Sequence, residues 1–210
     1  MLNNLDVNQQ IALISAGAAL LGSIIGAVAT LLGTLLTRKL QKSGKVALHV
    51  RPVYSQSKSK HFSGFYQSQE KAGLYMHIPL WLDAVNTSGV PRILRNVNLY
   101  AYREKTEIAE FTQTQRIGDG DSAILLGDHE SYTLVVPENS ARRFNLEFIL
   151  HEQEIKAENK NFDELVFSYF DEKDRVQAFH FTKIDSCWSE GPLNIKRKWI
   201  SMKKRCRYAR

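Results

Sequence analysis

The sequence predicts a mainly β protein: one N-terminal transmembrane helix followed by an antiparallel β-sandwich. Three observations carry this expectation. Ile11 to Thr37 is an unbroken apolar run without a charged residue. Residues 46–186 break into short apolar segments separated by Gly, Pro, Asn and Asp turn signals, the pattern of an all-β domain. Beyond residue 45 no amphipathic helix of more than about two turns is evident, apart from a stretch around Glu152 to Asn161. The predicted organisation is a short N-terminal tail (1–10), a transmembrane helix (11–37), a basic juxtamembrane linker (38–45), a β-sandwich domain (46–186) and a basic C-terminal tail (187–210).

The apolar run holds 27 residues. At about 1.5 Å per residue this exceeds the roughly 30 Å hydrocarbon core of a bilayer. A secretory signal wants a basic start and an apolar stretch of only about 7–15 residues. Met1 to Gln10 contains no Lys or Arg, and its one charge is Asp6. Arg38, Lys39, Lys42 and Lys45 follow the run. Positive flanks stay on the cytoplasmic side, which predicts one crossing with the N-terminus outside and the rest in the cytoplasm.

Small residues form one face of this helix. Ala18, Gly22, Gly26 and Thr30 recur every fourth position, with Gly33 nearby, while Leu20, Ile24, Leu31 and Leu35 lie opposite. Gly22 and Gly26 make a G-x-x-x-G motif, which lets two helix backbones approach closely in lipid. A homo-oligomer through this stripe is expected. The run contains no ionisable group, so it offers no proton relay.

The β segments follow in order. Val46 to Tyr54 alternates apolar and polar residues. Leu74 to Val85 is a second run, and Pro79 inside it predicts an edge position or a bulge, because proline cannot donate to a ladder. Asn86-Thr-Ser-Gly89 marks a turn. Ile93 to Tyr102 predicts a strand with Ile93, Val97, Leu99 and Ala101 on one side, and Thr106 to Gln113 predicts the next after a short charged turn. Gly118 to Asp121 reads as a loop. Ala123 to Leu126, Tyr132 to Val136 and Phe144 to Leu150 are further strands; Leu165 to Phe170 and Val176 to Phe181 form a hairpin around Asp171 to Asp174. The total is eight or nine strands.

The run Val85-Asn-Thr-Ser-Gly-Val-Pro-Arg-Ile-Leu-Arg-Asn-Val-Asn-Leu-Tyr100 resembles the strand, Asn turn, proline, strand segment of bacterial membrane-anchored immunoglobulin-like sandwiches. Tyr132 to Phe148 is similar to their strand, proline-containing turn, strand unit. The resemblance spans roughly residues 74–150 and implies an immunoglobulin-like antiparallel β-sandwich; the Cys…Trp…Cys of antibody domains is absent. A shared fold implies no activity.

Charge is uneven. Eight of the 28 basic residues lie in the last fifteen positions: Lys196, Arg197, Lys198, Lys203, Lys204, Arg205, Arg207 and Arg210. Without them 20 basic groups face 22 acidic ones, so the tail carries the positive field. With Trp199 and Tyr208 interleaved, these residues suit an anionic inner leaflet, where each basic group is worth about 1 kcal/mol. Nucleic acid is the less favoured anionic partner. The two cysteines, Cys187 and Cys206, do not make a disulfide framework, and in a reducing cytoplasm both are expected to stay as thiols.

No motif points to catalysis. His151-Glu-Gln-Glu-Ile155 lacks the second histidine of a zinc-protease helix, and Gly118-Asp-Gly-Asp121 lacks the spacing and final Glu of a calcium loop. No enzyme, metal or cofactor is expected. The loop Ser55 to Gly73 carries Phe62, Phe65 and Tyr66 among polar residues, a candidate contact for an unknown protein or ligand. The expected function is a membrane-anchored interaction module that self-associates through its span. The alternatives are an oligomeric effector of the defence or toxin type, whose spans perturb the membrane, and a membrane-tethered nucleic-acid-binding protein.

Overall fold

A computed structural model describes residues 6–52, 63–68, 72–116, 123–125, 132–156, 161–184, 188–195 and 198–209. The chain divides into two compact units, Met1–Gly44 and Lys45–Arg210.

The first unit is helix α1, Val7–Lys42. It is longer than the apolar run at both ends, because nothing in Val7–Gln10 or Arg38–Lys42 breaks a helix. The Asp6 N–H donates to Gln9 Oε1 at 3.3 Å, and Lys39 and Lys42 place positive charge in the last turn, where the helix dipole favours it. None of its residues is buried.

The second unit is built from two antiparallel sheets. The larger contains β1 (Val46–Pro52), β2 (Gly64–Gln67), β3 (Leu74–Asn86), β6 (Thr112–Arg116), β7 (Ala123–Leu125), β9 (Ser140–His151), β12 (Gly191–Pro192) and β13 (Ile200–Ser201). The smaller contains β4 (Arg92–Arg103), β5 (Thr106–Glu110), β8 (Leu134–Val136), β10 (Glu164–Phe170) and β11 (Val176–Lys183). One apolar core takes side chains from both: Leu48, Met76, Leu80, Leu82 and Phe148 from the larger sheet, Leu94, Leu99 and Phe167 from the smaller. Strand β9 keeps the period of two that its sequence predicts, with Leu146, Phe148 and Leu150 buried and Glu147, Ile149 and His151 between and after them half-buried. Leu80 and Leu146 are register partners, each 1 % exposed. Burial of a leucine side chain stabilises by about 1.5–3 kcal/mol.

Several expectations need correction. Pro79 is not on an edge strand: β3 is central, pairing β9 along one side and β2 and then β1 along the other. Proline is tolerated there because β2 partners end at His77 and β1 partners begin at Leu80, so among the described residues Pro79 has a register partner on β9 alone. The single strand expected at Thr106 to Gln113 is two strands in different sheets. They meet at Phe111, whose ring is 1 % exposed and whose N–H donates to the Leu99 carbonyl at 3.0 Å. Ile93 does not share a face with Val97, Leu99 and Ala101; it is exposed while Leu94 is buried. Asn96 has φ 45°, and this kink reverses which positions of β4 face inward. The expected helix near Glu152 is one 3₁₀ turn, Glu152–Glu154.

The tail is not separate from the β domain. Strand β12 pairs with β2, β13 pairs with β1, and Ile195, Met202 and Cys206 are buried. Apolar side chains between the basic ones explain this: they complete the domain while the cations stay outside. Gly64 is required where β12 crosses, since a Cβ there would lie 2.6 Å from the Gly191 carbonyl oxygen.

Candidate functional site

Helix α1 places Ala18, Gly22, Gly26, Thr30 and Gly33 on one exposed face. A Cβ added at Gly22, Gly26 or Gly33 would meet nothing within 4 Å. The threonine hydroxyls of the helix bond to its own backbone: Thr30 donates to the Gly26 carbonyl at 2.8 Å, Thr34 to Thr30 at 2.8 Å, and Thr37 to Gly33 at 2.9 Å. Such back-bonding lowers the cost of placing these hydroxyls in an apolar medium. Large apolar side chains cover the rest, with Ile14, Ile25 and Leu20 each at least 65 % exposed.

The tail presents Lys198, Lys203, Lys204, Arg205 and Arg207 to solvent. Lys196 and Arg197 lie outside the described residues. Met202 anchors the segment, its N–H donating to the Leu48 carbonyl at 2.9 Å. Arg205 bridges to Phe179, and the Cys206 N–H donates to the Ala178 carbonyl at 2.9 Å. The cations therefore stand on a segment fixed to both sheets. Glu164 closes this clasp: its carboxylate accepts from the Tyr208 hydroxyl and contacts His180 Nδ1. Burial, then the bond to Glu164, pushes the Tyr208 hydroxyl well above the usual phenol range. The Cys206 thiol is buried. Cys187 and the Gly118 to Asp121 loop lie outside the described residues. Among the described residues no cluster of His, Cys, Asp and Glu is arranged to hold a metal ion.

A ladder of arginine and tryptophan covers the outer face of the larger sheet, and sequence reasoning missed it. The Arg51 guanidinium lies 5.7 Å from the centre of the Trp81 ring, and Arg143 lies 5.1 Å from Trp81 and 5.2 Å from Trp199. Arg143 also donates twice to Asp83, at 2.6 and 2.9 Å, which holds the Asp83 carboxyl below its ordinary range. The signal was the polar half of each alternating strand: Arg51, Trp81, Asp83 and Arg143 occupy outward positions on β1, β3 and β9. Trp199 therefore fastens the tail to the sheet rather than standing free for a membrane.

The aromatic loop is partly absorbed into the fold. Phe62 lies outside the described residues. Phe65 is not a partner contact: it is 2 % exposed, in strand β2, with its ring 5.0 Å from Trp188. Tyr66 is half-buried and packs at 5.8 Å from Tyr75 and 6.3 Å from His77 on the outer face of the larger sheet.

Comparison of the chain with protein-family models, with curated proteins and with solved structures finds no match.

Proposed function

We propose that this protein is a single-pass membrane anchor presenting an immunoglobulin-like β-sandwich as an interaction module in the cytoplasm. The observation that carries the proposal is α1: 36 residues, mean hydropathy 2.2 over its most apolar stretch, and none of its side chains buried. An exposed apolar surface of that length is untenable in water and is more than long enough to cross a bilayer. The basic linker supports the cytoplasmic orientation. Two antiparallel sheets around one core support the sandwich.

The span associates with a second copy through the Gly22 and Gly26 face. The exposed basic side chains of the fixed tail form a contact for an anionic partner, the inner leaflet before nucleic acid. Anchoring makes encounters with other membrane-bound partners effectively intramolecular. No residue is assigned a catalytic role.

The test is extraction and protease protection of the full-length chain in native membranes. Retention in the membrane through an alkaline carbonate wash is expected, with the C-terminal half cleaved only after the cytoplasmic face is opened. Release by carbonate, or digestion of that half on intact cells, overturns the proposal.

A further inference from the structure

We propose that one end of the β domain, where β1 begins, docks on the bilayer interface, with Ile93 and Val135 entering it. This rests on the single-span reading above and adds a second, independent membrane contact.

Among the described residues of the β domain, Ile93 and Val135 are the large hydrophobic side chains most open to solvent, at 39 % and 46 %. They are direct register partners across β4 and β8. Pro91 and Pro137, also exposed, extend the same apolar stripe by one position on each strand. The two arginines that flank Ile93 are paired: Arg92 with Glu172, and Arg95 with Asp174 at 2.5 Å. An apolar tip whose nearest cations are already paired can enter the interface without relying on anionic lipid.

Hydrogen bonds tie this stripe to the chain's point of entry. The Thr87 N–H donates to the Lys45 carbonyl, and the Lys45 N–H to Thr87 Oγ1, both at 3.0 Å. Asn86 Nδ2 donates to the carbonyls of Val136 and Pro137, and the Asn139 N–H to Ser88 at 3.0 Å. Lys45 follows Thr37, the end of the uncharged run, by eight positions, five of the intervening residues belonging to α1. That length of chain spans at most about 20 Å, against a headgroup layer of roughly 5–8 Å. Strand β3 alone, at thirteen residues, runs about 40 Å. The linker thus holds the end with Ile93 and Val135 near lipid.

The experiment uses the full chain in phosphatidylcholine vesicles, with nitroxide labels placed one at a time at Val135→Cys, Lys183→Cys and Leu21→Cys. Val135 and Lys183 are exposed, so neither change disturbs the core, and the unsubstituted chain corrects for native thiols. The readout is the ratio of collisions with lipid-soluble oxygen to collisions with an aqueous nickel chelate. The expected result is a ratio at 135 at least fivefold above that at 183, at the opposite end of the domain, and unchanged by salt. Equal ratios at 135 and 183, with 21 in lipid, overturn the docking and leave the span standing. A label at 135 shielded from both agents also overturns it, because protein then covers the stripe. An aqueous signal at both 21 and 135 overturns the span and the docking together.

Discussion

Asn86 and Val136 belong to different sheets, and the Asn86 side-chain amide joins them by donating to the Val136 carbonyl at 3.2 Å. The same amide donates to Val90 at 2.8 Å and Pro137 at 2.9 Å, while its oxygen accepts from the Ser88 N–H at 2.9 Å. The residue is 1 % exposed. Each buried group left without its partner costs about 1–3 kcal/mol. Asn86→Ala is therefore expected to destabilise the domain by roughly 3 kcal/mol, and Asn86→Asp by at least as much, since it buries a charge against carbonyl oxygens. Urea unfolding of the detergent-solubilised full chain measures this, because Trp81, Trp188 and Trp199 all report the β domain. A loss under about 1 kcal/mol would show that water replaces the amide.

The tail divides into residues that fold the domain and residues that decorate it. Met202 is 6 % exposed and sits in the main core. Truncation of a buried methionine to alanine costs about 2–5 kcal/mol. Lys203 and Lys204 are exposed, and such changes stay within about 0.5 kcal/mol. Met202→Ala is expected to lower the unfolding free energy by about 2–3 kcal/mol, at the low end because the site lies near the surface. The Lys203→Ala and Lys204→Ala pair is expected to leave stability unchanged while weakening binding to anionic vesicles. Equal stability effects would contradict the division.

Asp171 governs the acid limb of stability. Its carboxylate accepts from the Lys173 and Arg175 N–H groups at 2.9 and 3.0 Å and from the Arg175 guanidinium at 2.8 and 3.0 Å. Burial pushes its pKa up, but the bonds from Arg175 and Lys173 outweigh burial and hold it below 3.8. The unfolded chain therefore takes up the proton first, so this stabilisation is complete above about pH 4 and is lost as pH falls through the lower folded value. Asp171→Asn is expected to cost about 1–2 kcal/mol at neutral pH, most of it from the backbone bonds, because the Arg175 side chain is 64 % exposed. Unfolding free energy measured from pH 5 downward should fall less steeply in the variant than in the parent.

The β4–β5 hairpin turns on two residues that both carry positive φ, Glu104 at 48° and Lys105 at 72°. Asn-Gly is the pair this turn prefers, and a side chain in the left-handed region costs about 1–2 kcal/mol. Lys105→Gly is expected to stabilise the domain by about 0.5–1 kcal/mol, after the extra freedom glycine gives the unfolded chain is discounted. Thermal unfolding checks the sign; a destabilised variant would mean that the lysine makes a compensating contact.

What was legible in the sequence was what periodicity encodes. The apolar run gave α1, alternation gave β9, and the Asp171 to Asp174 turn between two apolar segments gave the β10–β11 hairpin. Strand β10 reads as a continuous apolar segment because it is buried on both faces: Val166 packs with Tyr102, Ala178 and Cys206 on one side, and Leu165 and Phe167 join the main core on the other. The tail was misjudged because its charge dominates its composition while Met202 and Cys206, two residues among many cations, decide its position. The kink at Asn96 and the tolerance of Pro79 depend on which strands are neighbours, and no local pattern carries that information. The arginine–tryptophan ladder joins β1, β3, β9 and the tail, so it too exists only after pairing.

The small-residue face of α1 yields the clearest functional prediction. Apart from the helix's own backbone, nothing lies within 4 Å of a Cβ at Gly22 or Gly26, so a side chain there starts into open space. Ile has ample room in the helix and is itself compatible with lipid, which keeps insertion intact. Any effect of Gly22→Ile with Gly26→Ile therefore reports on a second copy. The pair is expected to convert oligomers to monomers in detergent and in bilayers, read by donor–acceptor energy transfer between labelled chains, with urea unfolding of the β domain unchanged. A Leu20→Ile and Leu31→Ile control on the opposite face should leave energy transfer intact. If the glycine variant still associates as the parent does, helix packing through Gly22 and Gly26 is ruled out, and association must run through another surface of the chain.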